Sequence, residues 1–253
     1  MWWETGVSPV RLSRFYTEQS LSPGQTVTLE ETSSHHLLRV LRLKAGESLL
    51  LFNGDGKEYQ AVLQESGRKQ ARVLVQNSRQ PDRESKLHIT LGQGISRGER
   101  MDFALQKSVE LGVESITPLW TKRSQAPLND QRLEKRLSHW RGVIRSACEQ
   151  SGRVYLPILH NATKLPDWYS ANRKQSLQLV LDPAASLQLS DLTPAGEIRI
   201  LIGPEGGLDS DEISMAEEIG FKRIRLGPRV LRTETAALAA VAAVQTLWGD
   251  LSG

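Results

Sequence analysis

The chain contains 253 residues, of which 39% are hydrophobic and 24% are charged, and both values are ordinary for a globular protein. This length allows one large domain or two smaller ones. The one cysteine, Cys148, excludes an internal disulfide and favours a reducing cytoplasm. The longest apolar run, residues 236–244, is far shorter than the roughly 20 residues of a membrane span, and the first residues lack a signal-peptide pattern. We therefore expect a cytoplasmic protein that does not enter membranes.

Basic residues are unevenly distributed, although the net charge is only +3. Lysine and arginine outnumber the acids between residues 68 and 123, and again between residues 132 and 145. Such stretches are typical of proteins that bind phosphate-bearing partners, whereas a solvated charged surface would have the same composition.

Residues 1–77 have the pattern of a small β-rich domain. The β-type runs are 27–29, 48–52, 58–63 and 71–75, and the NGDG sequence at 53–56 predicts a hairpin turn between two of them. A short helix interrupts the strands, and Ser33 or Ser34 can cap it. Arg39 and Arg42 are three residues apart, so we expect them to share a face of this helix and to contact nucleic acid together with Arg11 and Arg14. The polar segment 78–86 is the predicted linker.

From residue 87 onward the pattern alternates between strands and helices. Strands are predicted at 87–93, 113–119, 177–181, 198–202 and 223–227, and helices at 99–111, 129–150, 209–220 and 236–248. Alternation of this kind indicates a parallel sheet with crossover helices, so residues 87–253 form the predicted α/β domain. The last helix is apolar nearly all round, which predicts burial in the domain core or at a partner subunit.

Two of these strands end in glycine–proline loops, at 203–207 and 227–228. Loops at strand ends are where open α/β sheets bind ligands, and a β-carbon at Gly203 or Gly227 would project into the ligand or strain the turn. Glu205, Arg232 and Glu234 are the residues near these loops that can do chemistry.

Other sites have weaker support. The turn at 92–98 (GQGISRG) follows a strand, but its third glycine comes one residue too late for a dinucleotide-binding motif, so a basic βα turn is preferred. The five histidines lack metal-ligand spacing and no metal is expected. Cys148 lies on the apolar face of a helix, which favours a core position over a nucleophile.

The two glycine–proline loops lie in the segments 201–207 (LIGPEGG) and 226–236 (LGPRVLRTETA). Four other segments share the same pattern in order and spacing: 34–42, 97–102, 106–113 and 145–151. Together they resemble the SPOUT superfamily of S-adenosylmethionine-dependent RNA methyltransferases, and most of all the family (RsmE type) that methylates N3 of a uridine in 16S ribosomal RNA. The resemblance covers nearly the whole chain.

The resemblance implies an α/β fold in which a PUA-like RNA-binding β-barrel precedes a C-terminal, trefoil-knotted, parallel-sheet methyltransferase domain. It also implies a homodimer that acts on 16S ribosomal RNA, within the small ribosomal subunit, with S-adenosyl-L-methionine held in the knot loops. Carried onto this chain, the cofactor-binding residues are Leu181, Ile202, Gly203, Pro204, Glu205, Gly206, Leu226, Gly227, Leu231, Arg232, Glu234, Thr235 and Ala236. The RNA-binding residues are Arg11, Arg14, Arg39, Arg42, Arg97, Arg100, Lys122 and Arg123.

Methylation of uracil N3 requires loss of a weakly acidic proton. A carboxylate could accept this proton, and an arginine could stabilise negative charge on O2 or O4. Glu234 and Glu205 are candidates for the base and Arg232 for the stabilising cation, while an N-cap role for Glu234 is an equal alternative. The alternative functions are a non-catalytic RNA-binding or ribosome-assembly factor, a methyltransferase of another RNA site, and a nucleotide-dependent enzyme that uses the 92–98 turn.

Overall fold

The computed structural model describes residues 12–66, 70–124, 129–170 and 176–252. The chain forms two compact units. The N-terminal unit comprises Met1–Arg83 together with Glu149–Tyr155, and the C-terminal unit comprises Glu84–Cys148 and Leu156–Gly253. The sequence pattern did not indicate that residues 149–155 join the N-terminal unit.

The N-terminal unit contains a five-stranded sheet in the order β1-β3-β4-β5-β2. Only β1 and β3 are parallel. Among the described residues no strand ladder joins β1 to β2, so the sheet is not seen to close into a barrel there. β5 continues four residues beyond its predicted end, and β1 was not predicted. The strands are β1 (Arg14–Tyr16), β2 (Thr26–Thr28), β3 (Ser48–Phe52), β4 (Glu58–Ser66) and β5 (Ala71–Arg79).

The short helix α1 (Glu31–His35) continues into a π-helical turn (His36–Val40). The predicted caps are wrong, because the helix begins before both serines and Ser34 is buried. Its Oγ donates to the carbonyl of Leu29 (3.0 Å) and accepts from the backbone N–H of Ala71 (3.1 Å), which joins the helix to β5. Arg42 lies beyond the helical turn with φ 57°, so it does not share a helix face with Arg39.

Arg14 has a structural position that excludes the predicted contact with RNA. Its side chain is 6% exposed and is ion-paired with the fully buried carboxylate of Glu58. The guanidinium also lies 4.9 Å from the ring centre of Phe52 and donates to the carbonyl of Arg153 (3.0 Å). Arg79 donates to the other oxygen of Glu58 (2.7 Å). Arg14 therefore stabilises the core of its unit.

Replacing Glu58 with alanine is expected to lower the free energy of unfolding of this unit by about 3–5 kcal/mol, because the buried Arg14 would lose its counter-charge. Urea denaturation measures the effect. The control is Glu31→Ala, an exposed acid in the first turn of α1, with an expected loss below about 1 kcal/mol. An unchanged unfolding midpoint for Glu58→Ala would contradict the structural role of the pair.

The C-terminal unit confirms the predicted α/β domain with a parallel sheet. Its strands pair in the order β12-β10-β11-β6-β7-β8, with β9 also on β7, and every ladder is parallel. The strands are β6 (His88–Gly94), β7 (Ser115–Trp120), β8 (Ile158–Leu159), β9 (Thr163–Lys164), β10 (Leu177–Leu181), β11 (Glu197–Ile202) and β12 (Lys222–Ile224). The helices are α2 (Glu99–Glu110), α3 (Asp130–Ser151), α4 (Leu165–Ser170), α5 (Ser210–Glu218) and α6 (Thr233–Trp248).

Burial explains why these elements form. β11 is buried from Ile198 to Ile202, as expected for a strand covered on both faces, and it pairs with β10 and β6. Helix α6 packs against α2 and β11, and its buried residues include Ala237, Ala240 and Val241. The predicted core positions of α6 and of Cys148 are therefore confirmed. No helix in the described parts of the chain is long and apolar enough to cross a membrane.

Candidate functional site

A cavity of about 510 Å³ lies where β10, β11 and β12 end. The loops that follow these three strands and the start of α6 form its wall, at the carboxyl edge of the sheet where α/β folds bind ligands. The predicted cofactor-binding residues meet here, except for Gly227 and Thr235, which are not part of the lining. Those in the wall are Leu181, Ile202, Gly203, Pro204, Glu205, Gly206, Leu226, Leu231, Arg232, Glu234 and Ala236.

Close backbone packing holds the 203–208 turn against β6. A β-carbon at Gly94 would lie 2.4 Å from the backbone nitrogen of Pro204, and one at Gly203 would lie 2.8 Å from the nitrogen of Leu208. Of the two reasons predicted for Gly203, strain of the turn applies, since its β-carbon would meet its own loop. Gly92 is likewise required by packing, against Trp168. Gly92 and Gly94 thus have packing roles that need no bound nucleotide.

Two buried polar side chains connect the loops to the start of α6. Thr233 donates through Oγ1 to the carbonyl of Gly203 (2.6 Å) and accepts from the amide nitrogen of Gln93 (2.9 Å). Neither residue was predicted from the sequence. A polar glutamine at the end of an apolar strand was the signal, because a buried amide requires hydrogen-bond partners.

Glu205 is held in place by α2 and the residues before it. Its Oε1 accepts from the backbone N–H of Arg97 (2.7 Å) and from the guanidinium of Arg100 (3.3 Å). Partial burial acts to raise the pKa of Glu205, but these hydrogen bonds outweigh it and lower the pKa below its ordinary value. A carboxylate that holds its charge so firmly is a weak base, so the geometry favours a positioning role over proton transfer.

The lowered pKa predicts how Glu205 affects stability. Its contribution is complete above the ordinary pKa of 4.5 and decreases as the pH falls through the lower folded-state value. We expect the difference in thermal midpoint between wild type and Glu205→Gln to be constant from pH 7 to pH 5 and to shrink below about pH 4. Calorimetry over this range measures it. A difference that grows with acidity would show that Glu205 is not held as an anion.

Three of the predicted RNA-binding cations make contacts around the same turn. Arg123 donates to the carbonyl of Gly206 (3.0 Å) and to Asp209 (3.3 Å), and Lys122 donates to Asp209 (3.0 Å) and Asp211 (2.6 Å). These hydrogen bonds, first of all the one to Asp211, raise the pKa of Lys122. Arg100 and Arg123 also line the cavity. The side chains of Arg100, Lys122 and Arg123 are therefore hydrogen-bonded to other residues of the protein.

The other RNA-binding predictions have different outcomes. Arg97 is exposed beside the cavity, and Arg39 and Arg42 are exposed in the N-terminal unit. Arg11 lies outside the described residues, and Arg14 is buried as shown above.

Arg232 and Glu234 flank the first residue of α6. Arg232 is the N-cap residue, and Glu234 lies within the first turn, so the N-cap alternative for Glu234 is wrong. The helix therefore begins between them. Both still line the cavity. The Oε2 atom of Glu234 is buried and has no hydrogen-bond partner in the described part of the chain, so its capacity to accept a hydrogen bond is unused.

The cavity wall contains further residues that had no individual role assigned to them, although the resemblance places the loop after the predicted strand 177–181, which includes Asp182, around the cofactor. Asp182, in the first loop of the wall, accepts from Arg223 of β12 (2.6 Å). Arg225, Arg229 and Val230 belong to the same wall. A search of the described residues finds no group of three or more metal-ligating side chains.

Comparison with known proteins agrees with this architecture. A family model described as RNA methyltransferase domain matches residues 83–245, and one described as RNA methyltransferase PUA domain matches residues 29–76. The second match supports the predicted PUA-like character of the N-terminal unit.

The relatives are similar over almost their whole length. The chain is 35% identical to a ribosomal RNA small subunit methyltransferase E of Buchnera aphidicola, over 96% of this chain and 99% of the relative. Among solved structures, a ribosomal RNA small subunit methyltransferase E from Neisseria gonorrhoeae bound to S-adenosyl methionine is 42% identical, with a TM-score of 0.89 over 95% of this chain and 99% of that one. A Legionella pneumophila protein solved with bound SAM is 41% identical, with a TM-score of 0.92 over 96% and 100%.

Both the family models and the full-length relatives confirm the resemblance found in the sequence: the chain belongs to the RNA methyltransferase family that includes the ribosomal RNA small subunit methyltransferases E.

Proposed function

We propose that this protein transfers a methyl group from S-adenosylmethionine to N3 of a uridine in 16S ribosomal RNA. The observation that carries the proposal is the cavity at the strand ends, which combines glycine–proline loops with a buried, unpartnered carboxylate oxygen on Glu234. Support comes from the full-length relatives described above, which are named ribosomal RNA small subunit methyltransferase E. The relative from Neisseria gonorrhoeae was solved with bound S-adenosyl methionine.

The residues of the cavity fit this cofactor. A volume of about 510 Å³ is in the usual range for sites that enclose a molecule of this size. Leu181, Ile202, Leu226 and Leu231 supply apolar wall, and the backbone of the 203–206 turn supplies polar groups. S-adenosylmethionine would supply an electrophilic methyl group. The chain's own contribution is to fix the two glycine–proline loops around that group through Thr233 and Gln93.

The side chains beside the cavity can prepare the nucleophile. The neutral imide of uracil is a poor nucleophile, so its N3 proton has to leave before or during methyl transfer. Glu234 has the acceptor atom for that proton, and Arg232 carries a positive charge that can stabilise the charge developing on O2 or O4. Glu205 is the weaker candidate, since its Oε1 is occupied by the N–H of Arg97.

The remaining parts of the proposal concern organisation. We propose an RNA-binding domain at 1–77, a linker at 78–86 and a methyltransferase domain at 87–253 that is tied in a trefoil knot. We also propose that the protein acts in the cytoplasm as a homodimer, on RNA within the small ribosomal subunit. Ala240 is 1% exposed in the single chain, so the dimer surface has to involve other residues of the domain. Sedimentation of the wild-type protein tests the dimer.

Methyl-transfer assays with purified protein test the function directly. Labelled S-adenosylmethionine is offered with 16S ribosomal RNA or with small ribosomal subunits from a deletion strain, and mass spectrometry then maps the modified nucleoside. We expect one N3-methyluridine. Methylation at another nucleotide would support a different RNA site, and failure to bind S-adenosylmethionine in calorimetry would support a non-catalytic RNA-binding factor.

A further inference from the structure

The arginines that line the cavity fall into two groups. Arg100 is engaged with Glu205, and Arg123 with Gly206 and Asp209. Arg225, Arg229 and Arg232, by contrast, have no side-chain hydrogen bond or ion pair in the described part of the chain, and of these three Arg225 is half-buried while Arg229 and Arg232 are exposed. Two cations at one edge of the cavity are therefore available to an anionic partner.

The loop that carries these two arginines is fixed at both ends. It begins at Gly227, whose φ of 70° is a left-handed conformation that favours glycine. It ends at the N-terminus of α6, where Ala236 donates its backbone N–H to the carbonyl of Arg232 (2.7 Å) and Thr233 binds Gly203. The side chains between these anchors are presented on a defined backbone.

Val230 lies between the two arginines and is 81% exposed. An apolar side chain with this exposure lies near two arginines that have no side-chain partner among the described residues. This combination of positive charge and exposed apolar surface is complementary to a single nucleic-acid strand, which carries negative phosphates and apolar base faces. Cations of such sites contact the phosphates, and an exposed apolar side chain beside them can pack against a base or ribose and leave water. The same combination is less suited to a small, fully enclosed cofactor, because an exposed valine would remain in water.

We propose that residues 227–232 form the RNA-binding edge of the cavity, in which Arg229 binds a phosphate next to the target nucleotide and Val230 packs against a neighbouring base or ribose. This inference rests on the proposed function and identifies substrate-positioning residues for it. Arg232 keeps its proposed contact with the uracil. The edge would therefore place the target nucleotide beside Glu234. The Oε2 atom of Glu234 accepts no hydrogen bond from any described residue of the protein.

The test is binding of 16S ribosomal RNA, transcribed in vitro, to the full-length protein at several salt concentrations. For Arg229→Gln we expect affinity to fall about tenfold and the log–log salt slope to decrease by about 0.7, the value for one lost contact with a single strand. Arg229→Lys should keep the salt slope. Val230→Ser should weaken binding without changing the slope. Affinity for S-adenosylmethionine, measured by calorimetry, should be unchanged in all three variants.

Lys86→Gln is the matched control. It removes one exposed positive charge just before β6, at the opposite edge of the same sheet, and should leave RNA affinity and salt slope unchanged. Unaltered RNA binding by Arg229→Gln would overturn the proposal, and so would a loss of S-adenosylmethionine affinity, which would assign Arg229 to the cofactor. If wild type binds RNA but never methylates it, the proposed function fails while these binding data still decide the role of the edge.

Discussion

Glu234→Gln is expected to reduce the rate of methyl transfer about 10²–10⁴-fold, the usual contribution of a general base. Glutamine keeps the size of the side chain and its place in the first turn of α6, but it cannot accept the N3 proton. Removal of a group that acts mainly in the transition state lowers kcat with little effect on ground-state binding. Affinity for S-adenosylmethionine and for RNA should therefore remain close to wild type. Single-turnover methylation of 16S ribosomal RNA measures the effect.

Glu234 also interacts with the positive end of the α6 dipole, which is typically worth 0.3–1 kcal/mol. Glu99→Gln controls for this contribution, because Glu99 is an exposed acid in the first turn of α2 and does not line the cavity. Both variants should lose a similar, small amount of stability, and only Glu234→Gln should lose activity. If Glu234→Gln loses thermal stability or cofactor affinity in proportion to its activity, Glu234 is structural and the proton leaves by another route.

The C-terminal sheet was predictable because its signals are local. The β11 run is apolar at four of its five positions from Ile198 to Ile202, with Arg199 as the exception, so its assignment needs no knowledge of partners. The start of α5 is equally local, since Asp209 and Glu212 form a capping box at a spacing visible in the sequence. The glycine–proline loops follow directly from such strands, which is why most of the cavity wall could be named in advance.

The failures involve residues whose surroundings come from distant parts of the chain. Arg14 looked like a surface cation, and only the fold brings it to Glu58, 44 residues later, in the core. Ser34 looked like a cap, but it binds Ala71 of β5 instead. The 149–155 segment has no local feature that indicates its place with the first 83 residues. A single sequence gives composition and periodicity but not these long-range pairings.

The site shows the same division between local and long-range information. Arg232 and Glu234 were identified from the types of residue present, while the start of α6 was predicted at residue 236, three residues later than its observed start at Thr233. Thr233 itself was missed, because its importance comes from Gly203 and Gln93 on two other segments. Arg229 and Val230 were missed because nothing local distinguishes a free arginine from an ion-paired one.

Gly94→Ala and Gly203→Ala are expected to weaken S-adenosylmethionine binding at least about tenfold, which corresponds to 1.4 kcal/mol. The added β-carbon would lie 2.4 Å from the nitrogen of Pro204 in the first variant and 2.8 Å from the nitrogen of Leu208 in the second. Both obstacles are backbone atoms, so they cannot rotate away as a side chain would. The 203–208 turn has to shift, and overpacking of this kind typically costs 1–3 kcal/mol of stability as well.

Gly142→Ala is the control for these two variants, since no heavy atom lies within 4 Å of the added carbon. Gly142 lies within α3, where alanine is favoured over glycine by roughly 0.5–1 kcal/mol, so this variant should be slightly more stable and bind the cofactor normally. Calorimetric titration and thermal unfolding of all three proteins separate the two effects. If Gly94→Ala and Gly203→Ala bind S-adenosylmethionine like wild type, the turn does not contact the cofactor, and the binding site has to lie elsewhere on the domain.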